Sequence, residues 1–377
     1  MAGRGARCPL GGSHDTEVAL SVGSVPAVSL REVEGSASAP WDHPLAGRLD
    51  RLVVDSELLE ANPLGDSTRR ALYVYCPPQA ETQQDPRLPA VYLLQGFAGR
   101  LEEWLTQTPS EPTVIERLDA MFADGGCPPA LIVFVDAWTS CGTSQFLNSG
   151  GTGRYLDYVC DEVVPFVDAR YPTLAVRERR GVSGKSSGGY GALVISMLRP
   201  DVFAALASHA ADALFECCYQ PLFPVAAREL RDNFDGSWSV FRESISIANW
   251  RESAVLFAAY GTACAYTPDL ERPGEALMPF DVATGRPIQE IWTRWLELDP
   301  VRMAETHADA LRGMKRVYLD AGRQDEFFLD LGAQELSREL SRLGIEHILE
   351  LFDGKHDAST DRYASAIREV VCALSEG

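Results

Sequence analysis

Runs of apolar residues alternate with helix-period segments along most of the chain, and their order gives the first architectural clue. "LDRLVVDS" (49–56) and "RRALYVYCPP" (69–78) read as early strands, joined by the polar, Gly- and Pro-containing "ELLEANPLGDST". "LPAVYLLQGFAG" (88–99) and "PALIVFVDA" (129–137) are continuous apolar runs of the kind found in strands buried on both faces. "RVYLDAG" and "EHILELFDG" add two late strands. Between them, Tyr155, Val159, Val163 and Phe166 share one helical face in a segment stopped by Pro172. Leu336, Leu340 and Leu343 mark a helix closed by Gly344, and Tyr363, Ile367, Val370 and Leu374 mark the last one. Strand–helix alternation of this kind predicts an α/β fold: a mostly parallel central sheet with helices on both faces.

Two stretches depart from the rhythm. Residues 1–40 are rich in Gly, Ser and Ala without periodicity and read as a flexible N-terminal arm. Residues 41–377 then form a single domain. Inside it, about 212–312 shows no β–α alternation yet carries four of the seven tryptophans (Trp238, Trp250, Trp292, Trp295). This segment is expected to be a largely helical insertion, a cap or lid over the C-terminal edge of the sheet. Equally, it could protect a sheet edge or form a dimer contact.

The stretch "RRGVSGKSSGGYGAL" (179–193) carries the chemistry. As Gly-Lys-Ser it suggests a phosphate-binding loop, but that loop needs a glycine five residues before Gly184, and Arg179 stands there. As Gly184-Lys185-Ser186-Ser187-Gly188 it fits a nucleophile elbow. There a strand, a tight turn between small residues and a helix lift the serine into a strained, exposed conformation. "YGALVISML" is the expected helix, ending near Pro200.

A serine hydroxyl needs a base, and the base needs an acid to orient it. In the order this fold demands, Asp325 in "YLDAGRQDEF" and His356 in "FDGKHDAS" fall after the two late strands. Asp320 and Glu326 compete for the acid, and Asp325 could instead cap a helix. His209, after the strand-like "AALASHAA", reads as a core or pocket-wall residue. The oxyanion of the intermediate needs N–H donors, assigned to Ser187 and to Phe97, where Gly96 lets the chain turn inward.

These residues, in order and spacing, resemble the esterase D / enterochelin-esterase-like family of α/β-hydrolases. "YLLQGFAG", "NSGGTGRYLDYVCDEVVPFVD", "GVSGKSSGGYGAL", "DAGRQDEF" and "FDGKHD" carry the resemblance, which runs from roughly Leu49 to Cys372 except for the insertion. It implies an α/β-hydrolase fold. It implies Ser186, His356 and Asp325 as nucleophile, base and acid, with the amides of Phe97 and Ser187 as the oxyanion hole. It also places Trp138 and Asn148 near the pocket mouth, and Gln95 is a further substrate-binding candidate.

Lys185 and Lys355 depart from the family pattern. They are two of only three lysines and flank the serine and histidine, which predicts a locally positive pocket and an anionic substrate group. Against this, both ammonium groups could point to solvent or pair with carboxylates. The expected reaction is cleavage of a small-molecule carboxylic ester or thioester through an acyl-enzyme, with no metal or organic cofactor. Transfer of the acyl group to another acceptor uses the same triad, and a non-catalytic binding member of the fold is the rival from another class.

Composition narrows the partners. A formal charge of −20 opposes nucleic acid and anionic membrane, both of which are polyanions. No apolar run reaches the roughly 18 residues of a membrane span. The nine cysteines follow no zinc spacing, and the first residues lack an apolar export signal, so free thiols in the cytoplasm are expected. A homo-oligomer is compatible with all of this.

Overall fold

In the computed structural model the described residues are 44–82, 87–106, 112–244, 249–272, 275–357 and 362–376. The predicted N-terminal arm lies outside them.

Eight strands form one mixed, mostly parallel sheet: β1 (Arg48–Asp55), β2 (Arg69–Cys76), β3 (Ala90–Leu94), β4 (Leu131–Val135), β7 (Arg180–Lys185), β8 (Ala205–His209), β9 (Arg316–Gly322) and β10 (Ile348–Phe352). A two-residue hairpin, β5 (Asn148–Ser149) and β6 (Gly153–Arg154), stands apart from it. The sheet order is β1-β2-β4-β3-β7-β8-β9-β10. The first two pairings, β1 with β2 and β2 with β4, are antiparallel, and every later one is parallel. This is the mostly parallel α/β sheet that the strand–helix rhythm predicts, in the α/β-hydrolase arrangement that the resemblance implies.

The continuous apolar strands are explained by burial on two sides. Val91, Leu93, Ile132 and Phe134 pack into one core, together with the helices Val114–Ala123 and Tyr363–Ser375. Tyr92, Leu94, Leu131, Val133 and Val135 point to the other core, beneath Ser187–Leu198 and the insertion. Period-two side-chain alternation thus feeds two hydrophobic layers from the same strands.

The predicted 154–172 helix is helical but not uniform. It runs as Tyr155–Asp157, a π-helical stretch Tyr158–Val163, and Val164–Arg170. Pro165 has no N–H to donate, and its ring would clash with the carbonyl four residues back, so the chain widens by a residue just before it.

Residues 212–312, between β8 and β9, form short helices, chiefly Phe223–Asn233, Trp238–Ser244, Ala254–Tyr266, Gln289–Leu296 and Pro300–Thr306. Aromatic rings hold them together: Phe223 meets Phe280, Trp292 and Trp295, and Trp238 stacks on Tyr260. Trp295 is fully buried and its indole N–H donates to Thr267 Oγ1 at 3.0 Å.

From β3 the chain steps to β4 on one side, then returns past β3 to β7 on the other. The crevice beyond the C-terminal ends of β3 and β7 is therefore a topological switch point, where α/β sheets bind ligands.

Candidate active site

Ser186 occupies that crevice. Its backbone sits at φ 59°, ψ −124°, between the end of β7 and the helix Ser187–Leu198. Such a conformation is costly for a residue with a Cβ and persists only where surroundings fix it. Two contacts do so: the Ser186 N–H donates to His209 O at 2.9 Å, and Ser186 O accepts from Tyr190 N–H at 2.9 Å. The turn also depends on missing side chains. A Cβ on Gly184 would lie 2.4 Å from the carbonyl carbon and oxygen of Gly188, and one on Gly188 would lie 2.3 Å from Leu94 O.

His356 and Asp325 come from the loops after β10 and β9. His356 Nδ1 lies 2.8 Å from Asp325 Oδ2. The His356 N–H donates to Glu326 Oε2 at 3.0 Å, and Phe327 meets the ring edge-on at 5.2 Å. Asp325 is 5 % exposed, and its Oδ1 accepts from Phe327 N–H at 2.9 Å. It does not cap the following helix, Leu329–Arg342, whose N-terminal flanking residue is Phe328.

The two rival acids are engaged elsewhere. Glu326 binds the His356 backbone and lies 3.3 Å from Lys355. Asp320 pairs with the fully buried His209 at 2.9 Å, a core contact, as the sequence suggested for that histidine.

Ser186, Ser187, Phe97, Gln95, Lys185 and His356 line one cavity of about 490 Å³. Ser187 is the first residue of its helix, so its N–H has no acceptor within that helix. Gly96 presses close, since a Cβ there would stand 3.7 Å from Ser186 Cβ, and the next residue, Phe97, lines the same cavity.

The insertion supplies much of the remaining wall. Ala254, Ala258 and Thr262 face the cavity at one-turn spacing from the helix Ala254–Tyr266. Trp250, Trp295 and Phe223 add aromatic surface.

Several residues expected to bind substrate sit differently. Gln95 reaches the cavity, but its side chain is tied to the β4 end: with the amide suitably oriented, its nitrogen donates to Val135 O at 2.5 Å and its oxygen accepts from Ala137 and Trp138 N–H at 2.9 and 2.8 Å. Trp138 lies away from Ser186 beside a separate small cavity, with the Arg100 guanidinium 4.3 Å above its ring. Asn148 lies on the exposed hairpin, its Oδ1 accepting from Asp157 N–H at 3.2 Å. The two positions are close to the predicted motifs in sequence, but the chain carries their side chains off the crevice.

The expected positive pocket is likewise corrected. Lys355 is mostly exposed and pairs with Glu326. Lys185 does reach the cavity, but it lies 3.8 Å from Asp357. Burial lowers its pKa, with Asp357, Asp325 and Glu103 opposing that shift. The cavity is lined by three acids, Glu103, Asp212 and Asp357, against two bases, Lys185 and Arg251. Carboxylates thus outnumber the cations, so no surplus of positive charge remains to favour an anion.

Sequence reading passed over Asp212. It follows β8, lines the cavity, and is buried. Its Oδ2 accepts from Tyr219 OH at 2.8 Å, from Gln145 Nε2 at 3.3 Å and from Ser187 Oγ at 3.4 Å. Desolvation raises its pKa, with the Tyr219 and Gln145 bonds working against the rise. The only signal in the sequence was a carboxylate three residues beyond the end of β8.

A sheet of this order, with a strained serine at its switch point, defines an α/β-hydrolase. The chain belongs to the family described as "Putative esterase", whose profile matches residues 67–367. The expected family resemblance is therefore borne out. A ferulic acid esterase structure superposes with a TM-score of 0.54 at 17% identity, covering 87% of this chain and 98% of that one. The S-formylglutathione hydrolase of Agrobacterium tumefaciens gives 0.52 at 16% identity, covering 88% and 98%. A fluorophosphonate-binding serine hydrolase of Staphylococcus aureus gives 0.51 at 16% identity, covering 88% and 99%. At these identities the likeness is one of fold. In sequence, an endo-1,4-beta-xylanase/feruloyl esterase of Xylanibacter ruminicola is 26% identical over 122 residues, 31% of this chain and 16% of that protein. The match thus spans less than a fifth of that curated relative. Among the described residues, no helix is long and apolar enough to cross a membrane.

Proposed function

We propose that the protein is a serine carboxylic ester hydrolase acting on a small-molecule ester or thioester through an acyl-enzyme. The observation that carries this reading is the convergence on one cavity of Ser186, held in a strained turn, and the His356–Asp325 pair, delivered by two separate loops.

In this mechanism His356 Nε2 takes the Ser186 proton as Oγ attacks the carbonyl carbon. Asp325, bonded to Nδ1, keeps the imidazole in the tautomer that leaves Nε2 free to accept, and stabilises the imidazolium once formed. The amides of Ser187 and Phe97 donate to the oxyanion. Collapse expels the alcohol or thiol with the proton returned by His356. Water, deprotonated by the same imidazole, then releases the acid and restores Ser186. The acid–base chemistry is complete without a metal or organic cofactor.

Labelling with a fluorophosphonate probe tests the reading. The wild-type protein should be modified at Ser186, and Ser186→Ala should not react. A wild-type protein that hydrolyses p-nitrophenyl acetate but remains unlabelled would overturn the covalent mechanism.

A further inference from the structure

We infer that Asp212 forms a subsite for a primary ammonium group, so that the preferred substrate is the ester of a short, amine-bearing acid. This inference rests on the ester-hydrolase reading of the cavity and specifies which acyl group it receives.

The argument starts from charge. A carboxylate withdrawn from water is strongly disfavoured unless a counter-charge accompanies it. Asp212 is 8 % exposed, and no Lys or Arg among the described residues forms an ion pair with it. Of the cavity's own cations, Lys185 lies 3.8 Å from Asp357, and the Arg251 charge opposes the rise that burial imposes on the Glu103 pKa. What Asp212 has instead is three neutral donors, all of them meeting Oδ2, and the more distant charge of the His356 imidazolium when that forms. Oδ1 receives no hydrogen bond from a described residue, although Asp212 lines the cavity. An ammonium entering the cavity would supply both the missing charge and the missing donor.

The surroundings suit such a group. Tyr219, Trp295 and Phe223 line the same cavity, and aromatic faces attract cations that have left bulk water. The chain as a whole is formally −20, which favours the approach of a cationic substrate. The length of the acyl group follows from position. Asp212 Oδ2 is 3.4 Å from the hydroxyl of Ser187, the neighbour of the attacking serine. The ammonium therefore lies only a few bonds from the ester carbonyl.

The test is binding, which does not depend on turnover. Titration of the full chain with n-butylammonium and with n-butanol at matched ionic strength, followed by fluorescence of Trp250 and Trp295, should show at least tenfold tighter binding of the cation. Asp212→Asn should abolish that preference. Benzyl 3-aminopropanoate should likewise exceed benzyl butanoate in kcat/KM by at least tenfold in the wild type, with the ratio near one in Asp212→Asn. Equal binding of cation and alcohol by the wild type overturns the inference, and needs no variant to fold. A cation preference that survives in Asp212→Asn overturns it too. Failure of the two readings is separable: loss of fluorophosphonate labelling at Ser186 counts against the hydrolase, whereas loss of the ammonium preference alone counts against the subsite.

Discussion

The imidazole of His209 and the carboxylate of Asp320 lie 2.9 Å apart with neither side chain exposed, a sealed counterpart of the His356–Asp325 pair at the cavity. Ser183 Oγ, 3.4 Å from His209 Nε2, completes a second serine–histidine–aspartate line inside the core. Because the cavity does not reach it, this line serves structure, and the His209 carbonyl holds the Ser186 amide. Asp320→Ala would leave the buried His209 Nδ1 without its carboxylate partner, while Arg362, whose Nε is 3.5 Å from Asp320, would keep only Glu350 as an anion. Breaking a buried pair in this way costs about 3–5 kcal/mol, to be read as a fall in unfolding free energy in urea.

The accessible pair should respond in the opposite way. Asp325→Asn keeps the shape of the side chain but favours the wrong imidazole tautomer, and kcat on p-nitrophenyl acetate should fall about 10⁴-fold with little change in stability. Glu326→Gln, which alters a contact to the His356 backbone and the pairing with Lys355, should lower kcat by less than about tenfold. Similar losses in both would contradict the assignment of the acid.

Glycine at 188 is demanded by space. Gly188→Ala places a methyl group 2.3 Å from Leu94 O, which belongs to the neighbouring strand and cannot retreat. The elbow should be destabilised by roughly 1–3 kcal/mol or more, with loss of probe labelling. Gly126→Ala, whose new methyl would meet nothing closer than 3.6 Å, is the control and should behave as wild type in both assays.

Lys185 gives a pH-dependent prediction. Its folded pKa is lowered, chiefly by burial, so the folded state binds fewer protons than the unfolded chain between that value and the ordinary lysine pKa near 10.4. Stability therefore rises with pH across this window, and the penalty for the buried ammonium is full below it. Lys185→Met should remove that contribution, so the wild-type minus variant difference in unfolding free energy should increase as pH rises. A difference that is flat or falls with pH would contradict the burial argument.

Local features were legible in the sequence because local rules govern them. The strand runs ending in Leu94, Val135 and Gly322, and the small residues around Ser186, follow from side-chain period and turn sterics. The order of β9 and β10 let Asp325 and His356 be chosen, and the structure places the two in contact. What escaped was set by long-range packing. Nothing near Trp138 or Asn148 in the chain shows that their side chains leave the crevice. Nothing near Asp212 shows that Tyr219 and Gln145 will converge on it. The pairing of Lys185 with Asp357 and of Lys355 with Glu326 likewise depends on loops meeting in space.

The helix Ala254–Tyr266 presents Ala254, Ala258 and Thr262 to the cavity, while Ser186, His356 and Asp325 stand on turns at the ends of sheet strands. Bond cleavage and molecular fit are thus assigned to separate pieces of scaffold. Small side chains on a single helical stripe leave room that a larger residue there would fill. On the proposed function, changes along that stripe would alter which esters fit while leaving Ser186, His356 and Asp325 untouched.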